Sequence, residues 1–237
     1  MDMHCHSHFS DGLNSPEEMV CAAIEAGLEA ICMVEHVRAD SDWLGDFCRE
    51  MASLKARYRS QIAVYSGIEA KVCDLHGSID IAPGFIGQTD LVVGAFHRLP
   101  SGDGFLSQSE IAEHPGRALS LWAQAMRALL EVPHVDVVAH PTAILKENGI
   151  APPTDLKREI ARRGGQTGIA FELNARYGVP DPEFVEILSA EGVRLVFGSD
   201  SHSAAEVGRL YRRGQRLFGR YMREAVLPFR AKGGCIT

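Results

Sequence analysis

The chain has no run of about eighteen apolar residues, so no membrane span is expected. Its start lacks a basic region followed by an apolar stretch, so no secretory signal is visible. Basic charge is in deficit. Against 31 acidic residues stand 24 lysines and arginines, a net charge of −7. That balance argues against a broad electrostatic footprint for long nucleic acids and leaves room only for a local basic groove. The six cysteines, Cys5, Cys21, Cys32, Cys48, Cys73 and Cys235, include no Cys-x-x-Cys pair. A chain of 237 residues needs no disulfide staples, so reduced thiols in the cytoplasm are expected. No internal repeat, low-complexity tract or linker divides the sequence, which reads as a single domain over 1–237. What is there is an ordinary core-forming composition, 46% hydrophobic and 23% charged, enough for one large α/β domain.

The first eleven residues are the stretch around which the rest makes sense. His4 and His6 alternate across Cys5, so on an extended strand both imidazoles share one face. Cys5 should then point away from them, into the core. Asp11-Gly12 supplies a turn that ends the strand and leaves a carboxylate at its mouth. Two such histidines suit one metal ion, although a solvated N-terminus would look the same on these residues alone.

Further along, Ser15-Pro16-Glu17-Glu18 reads as a capping box with proline at the first helical position. Met19, Val20, Ala23 and Ile24 give that helix one apolar face, ending at Gly27. Residues 30–34 form a continuous apolar run, as in a strand buried on both faces, and end in Glu35-His36. A helix over 43–59 carries Leu44, Phe47, Met51 and Leu54 on one face. The third strand, 62–68, ends in Glu69. Two short β-like runs around Leu75-His76-Gly77 predict a hairpin over 71–81 that decorates the rim. The fourth strand, 90–96, ends in His97, and a loop over 98–108 precedes a helix over 110–131 with a break near Pro115. The fifth strand, 135–139, ends in His140-Pro141. A loop around 149–153 leads to a helix capped by Thr154 or Asp155. The sixth strand, 169–173, precedes Asn174-Ala175-Arg176, and a helix follows over 182–191. The seventh, 194–197, runs into Asp200-Ser201-His202, and helices near 205–218 and 221–230 finish the chain.

Seven strands alternating with helices predict an α/β fold of parallel strands with right-handed crossovers. The active end of such a sheet is its C-terminal end. His4, His6, His36, Glu69, His97, His140, Asp200 and His202 all fall there. Apolar strands that merely tolerated a histidine would not place one at the same end repeatedly. A closed barrel or near-barrel would gather these ends around one mouth.

The blocks Asp2-Met3-His4-Cys5-His6 with Ser10-Asp11-Gly12, Val34-Glu35-His36, Gly67-Ile68-Glu69, Gly94-Ala95-Phe96-His97, Ala139-His140-Pro141 and Asp200-Ser201-His202 resemble the polymerase and histidinol phosphatase (PHP) family from end to end. The resemblance implies an irregular seven-stranded (β/α)7 TIM-like barrel with a trinuclear metal site at the C-terminal ends of the strands. It implies that His4, His6, Glu69 and Asp200 hold the first metal and that Asp11, His36 and His202 hold the second. Glu69 would bridge to a third held by His97 and His140. Asp11, Glu69, Asp200 and His202 are the catalytic candidates on the same ground. The family's second block more commonly has aspartate where this chain has Glu35.

Histidines and carboxylates in this mixture suit two to three divalent transition-metal ions, Zn²⁺, Mn²⁺ or Fe²⁺, and disfavour Ca²⁺ or Mg²⁺. Close-set metals lower the pKa of a shared water and clamp phosphate oxygens, so phosphoester hydrolysis is the reaction these parts serve best. Arg176, then Arg98, Lys71 and Arg38, are the cations expected to meet the substrate. The plainer reading of each is a solvated rim charge. Glu172 and Asn174 alternate on the sixth strand and are expected to orient ligands. His8 shares the alternation of His4 and His6, but the turn at Ser10-Asp11-Gly12 should bend it away. His76, His114 and His134 read as surface or loop residues, and Trp43 and Trp122 as packing residues.

The expected function is therefore metal-dependent hydrolysis of a small phosphomonoester, of which histidinol phosphate is one family example. Neither a membrane nor a long nucleic acid is expected as partner. The alternative is a phosphodiesterase or nuclease acting on nucleotides or nucleic-acid ends. A non-catalytic module of the kind attached to replicative polymerases is disfavoured by the complete ligand set. An amidohydrolase on a related barrel is disfavoured by ligand order. Specificity is assigned to the hairpin over 71–81 and the loops 98–108, 141–153 and 174–181.

Overall fold

Alternate residues of each strand face two different cores, and that division builds the molecule. The computed structural model describes residues 1–102 and 104–228. Its strands are β1 (Asp2–Cys5), β2 (Ala30–Val37), β3 (Ala63–Lys71) and β4 (Leu91–Ala95), then the short pair β5 (Pro100–Ser101) and β6 (Gly104–Phe105), and finally β7 (Val137–Ala139), β8 (Ala170–Asn174) and β9 (Leu195–Gly198). Helices α1 (Pro16–Glu25), α2 (Leu44–Tyr58), α3 (Gln108–Glu113), α4 (Pro115–Leu129), α5 (Ala143–Glu147), α6 (Thr154–Thr167), α7 (Pro182–Ala190), α8 (Ala204–Phe218) and α9 (Arg220–Glu224) surround them. Apart from β5 and β6, the strands form one parallel sheet in the order β1-β2-β3-β4-β7-β8-β9.

That sheet curls until its edges meet. Ser199 N–H donates to the Asp2 carboxylate at 2.8 Å, Asp200 N–H to the His4 carbonyl at 2.8 Å, and His6 N–H to the Ser201 carbonyl at 2.8 Å. Cys5 and Ser201 form a parallel bridge across the seam. The result is the expected TIM-like barrel, nearly closed.

Large side chains such as Met33, Ile68, Phe171 and Phe197 face outward and pack with the helices. Phe47 of α2, Trp122 of α4 and Phe184 of α7 are fully buried there. Burying a Phe-sized side chain stabilises by about 1.5–3 kcal/mol. The opposite strand faces carry smaller residues, among them Ala30, Cys32, Val34, Val93, Ala95, Ala139 and Ala170, which pack as a second, separate core in the narrow lumen. Cys5 is fully buried in the outer core, as its alternation predicts. Ser15 and Glu18 form the expected capping box on α1. His114, at φ −129°, separates α3 from α4 just before Pro115, as expected.

Several expectations need correction. β2 and β3 outrun their apolar runs, because the ladder still pairs His36 with Glu69 and Val37 with Ala70. The hairpin over 71–81 keeps only one bridge, Val72 to Ile79, with Cys73 N–H on the Ser78 carbonyl at 2.7 Å. The Asp74 carboxylate replaces strand pairing by accepting from His76 and Ser78 N–H. Only the base of this turn lies at the rim. Its tip, Gly77 (φ 85°), lies so near α4 that a Cβ would stand 2.7 Å from the Ala128 backbone. α6 is capped by Pro153 rather than by Thr154 or Asp155, and the Thr154 hydroxyl donates to Glu183 instead. β5, β6 and α5 lie in segments expected to be loops. Residues 229 and 230 of the last expected helix, and Cys235, lie outside the described residues. Among the described residues no helix is long and apolar enough to cross a membrane.

Candidate metal centre and cleft

The inner alternation of each strand, continued to its C-terminal end, delivers the polar residues. Ala30, Cys32 and Val34 lead to His36; Leu91, Val93 and Ala95 lead to His97; Val196 and Gly198 lead to Asp200. Glu69 follows Gly67 on β3 in the same way, and Glu172 and Asn174 follow Ala170 on β8. His140 breaks the rule. Val137 and Ala139 face the lumen, so an extended continuation would turn His140 outward. Its backbone instead adopts φ 28°, and Asp200 adopts φ 61°, the two positive-φ non-glycine residues among those described. Such conformations cost of order 1–3 kcal/mol each. At His140 the turn is held by Glu172, whose Oε2 accepts its N–H at 2.6 Å.

Glu69 is the hub. Its carboxylate lies within 3.7 Å of the imidazoles of His4, His6, His36, His97 and His140. Burial works to raise this carboxyl, but the imidazoles of His97 and His4 overcome it and hold it well below the usual range. Three donor groups form around it: His4, His6 and Glu69; His36, Glu69 and His97; and His6, Asp11, His36 and His202. His6 and His36 are thus each shared by two groups, which the assignment read from the sequence did not foresee. Asp200 Oδ1 is 3.5 Å from His6 Nε2, and His140 Nε2 is 2.8 Å from Glu69 Oε1. All nine positions named as metal ligands therefore converge on one cluster.

The donors fit divalent cations. Glu69 Oε2, in the middle of the cluster, and His6 Nδ1, 3.9 Å from Asp11, are buried without a hydrogen-bond partner, a cost that a bound cation would remove. His4 and His6 bring their Nε2 atoms to 3.1 Å. His4 Nδ1 donates to Glu172 Oε1 at 2.7 Å, which fixes the tautomer and leaves the Nε2 lone pair facing the cluster. Burial pushes His6 down to about 4, whereas at His4, His36 and His140 burial is outweighed by the facing carboxylates, Glu69 and at His4 also Glu172, which raise the imidazole, so a cation binding there displaces a proton. His202 Nδ1 is 2.9 Å from the Asp200 carbonyl and 3.1 Å from Arg176, which turns its Nε2 towards Asp11, 3.4 Å away.

Arg38, Lys71 and Arg98 line a cleft of about 700 Å³ that opens on Asp11, His36, Glu69 and His97. Trp43 and Phe9 form its apolar wall, so Trp43 is a cleft residue as well as a packing one. Arg176 lies elsewhere. Its Nε donates to the Asp200 carbonyl at 2.6 Å and one terminal nitrogen to Glu206 at 2.6 Å, 3.1 Å from His202 Nδ1. The guanidinium expected to reach a phosphate first is hydrogen-bonded to the Asp200 carbonyl and Glu206, with its side chain still 31% exposed. Trp122 is a packing residue, with its indole N–H on the Pro141 carbonyl. His8, His76 and His114 are exposed and His134 half-buried, all outside the cluster.

Sequence reasoning gave no role to Glu35 or Glu206. Glu35 is fully buried and accepts from Ser7 N–H at 2.9 Å and from the Ser7 and Ser10 hydroxyls at 2.5 Å each. It clasps the loop that carries His6 and Asp11. Glu206 accepts from His202 N–H at 2.9 Å as well as from Arg176. Its position four residues beyond a ligand, in the first turn of α8, was the available signal.

Among curated proteins, the chain is 27% identical to a probable phosphatase of Acetivibrio thermocellus over 222 residues, covering 90% of this chain and 83% of that one. It is 26% identical to the DNA polymerase/3′-5′ exonuclease PolX of Bacillus subtilis, covering 85% of this chain but 34% of the polymerase. Among solved structures it is similar to histidinol phosphate phosphatase from Lactococcus lactis, a complex with zinc, L-histidinol and phosphate. The TM-score is 0.66 at 21% identity, covering 93% of this chain and 92% of the other. That likeness is one of fold. Residues 2–176 match the PHP domain, and the chain belongs to that family.

Proposed function

We propose that this chain is a metal-dependent hydrolase of small phosphomonoesters. The observation that carries the proposal is the Glu69 hub, three overlapping donor groups that open into a cation-lined cleft. The phosphatases among its relatives and structural neighbours support it. In this reading His4, His6, Glu69 and Asp200 hold one ion and Asp11, His36 and His202 a second, while Glu69, His97 and His140 hold a third. Zinc, manganese and iron all suit the donors. Divalent ions bound there would supply charge neutralisation at phosphoryl oxygens and acidify an attacking water.

The chain's own residues prepare that chemistry. Glu172 fixes the His4 tautomer, and the Asp200 carbonyl and Arg176 hold the His202 ring in place through its Nδ1. Glu69 stays a carboxylate throughout. Asp11, with its side chain 54% exposed, is the donor that meets the incoming substrate. In the reaction a water oxygen joins phosphorus, the bond to the alcohol oxygen breaks, and that oxygen leaves with a proton. We also take 1–237 as a single domain, since the seven barrel strands share one sheet. The described cysteines are free thiols, which suits a reducing cytoplasm.

The test is phosphate release from a panel of phosphomonoesters, cyclic nucleotides and bisphosphates by Mn²⁺-loaded protein. Release from at least one monoester, abolished by chelator, is expected. Hydrolysis confined to phosphodiesters would establish the nuclease-type alternative instead.

A further inference from the structure

We infer that the cleft beside the donor cluster selects phosphomonoesters whose organic part carries a second anionic group. The inference rests on the phosphomonoesterase reading and narrows its substrate class. A phosphate held at the donors leaves its organic part in the cleft, because that cleft opens on Asp11, His36, Glu69 and His97. Its wall carries three cations, Arg38, Lys71 and Arg98, and beyond the donor cluster one acid, Asp80. Lys71 Nζ and the Arg98 guanidinium lie 5.2 and 4.7 Å from the centre of one ring, Phe105, so a single aromatic side chain positions both cations. Phe105 belongs to β6.

Three acids share the lining, but Asp11 and Glu69 belong to the donor cluster, which leaves Asp80 alone against three cations. Lys71 pairs with Asp80 at 3.4 Å, whereas Arg38 and Arg98 have no carboxylate partner among the described residues. An organic part bearing an ammonium group would face like charges there. A neutral one would gain nothing from them. A carboxylate or second phosphate would gain charge-assisted hydrogen bonds, bidentate at either arginine.

The experiment compares four two-carbon substrates with Mn²⁺-loaded wild type: ethanolamine phosphate, ethyl phosphate, phosphoglycolate and ethylene glycol bisphosphate. We expect kcat/KM for one or both anionic substrates to exceed that for ethyl phosphate by roughly tenfold or more, with ethanolamine phosphate lowest. Which anion wins identifies the group as carboxylate or phosphate. Arg98→Ala and Lys71→Met should each shrink the ratio of anionic to neutral kcat/KM. Calorimetry with phosphonoacetate and ethylphosphonate gives a readout independent of turnover and should show the same preference. Equal kcat/KM across the substrates with equal phosphonate affinities would overturn this inference and leave the phosphatase reading standing. Tighter phosphonoacetate binding without hydrolysis of any substrate would sink the phosphatase reading and keep the anion subsite.

Discussion

Gly198 has no side chain because there is no room for one. A Cβ there would overlap Glu172 Oε1 and stand 2.7 Å from His4 Cβ. Since Glu172 both fixes the His4 tautomer and holds the His140 turn, Gly198→Ala should weaken metal binding roughly ten- to a hundredfold. A zinc-competition titration on folded protein measures this, and unchanged affinity would refute the positioning role. At Arg176 the structure adds a positioning role to the substrate contact expected from sequence. Its contacts to the Asp200 carbonyl and Glu206 make it a brace for His202. Arg176→Ala should therefore lower metal affinity by roughly tenfold, with Arg176→Lys intermediate because it lacks the planar fork. Intact metal binding with weaker inhibition by inorganic phosphate would return Arg176 to the substrate. The ligands were legible because they continue strand alternation in an ordered series of short blocks. The brace was not, since it depends on α8 meeting the end of β8.

The loop between β1 and α1 owes its shape to a neighbouring strand. Glu35 points from β2 into that loop, and its buried carboxylate accepts three hydrogen bonds from Ser7 and Ser10. Removing it would orphan those donors, so Glu35→Ala should destabilise the protein by about 1–3 kcal/mol. Denaturant unfolding checks this, and a wild-type midpoint would mean that water replaces the carboxylate without cost. Strands and long helices were legible from periodicity and caps. β5, β6 and α5, at two to five residues each, are too short to show a period. The hairpin tip was misplaced because what fixes it is a contact with α4, some fifty residues downstream.

At the scale of the whole barrel, the donors come from the ends of β1, β2, β3, β4, β7 and β9, so bound ions would staple strands that the sheet otherwise joins sideways. The seam between β1 and β9 depends on the Asp2 carboxylate and a few backbone bonds. Chelation should lower the unfolding midpoint, by up to about 4 kcal/mol where free metal had stood a thousandfold above its Kd. Reloading should restore it, and identical midpoints with and without chelator would show that the ions do not bridge the barrel.

The central claim is that the Glu69 hub is a multi-metal centre, and elemental analysis of protein purified without chelator tests it most directly. The account predicts about two to three transition-metal ions per chain in the wild type, and a larger loss in Glu69→Gln than in His140→Ala. No more than about one ion per chain after reconstitution, or equal losses in the two variants, would contradict it.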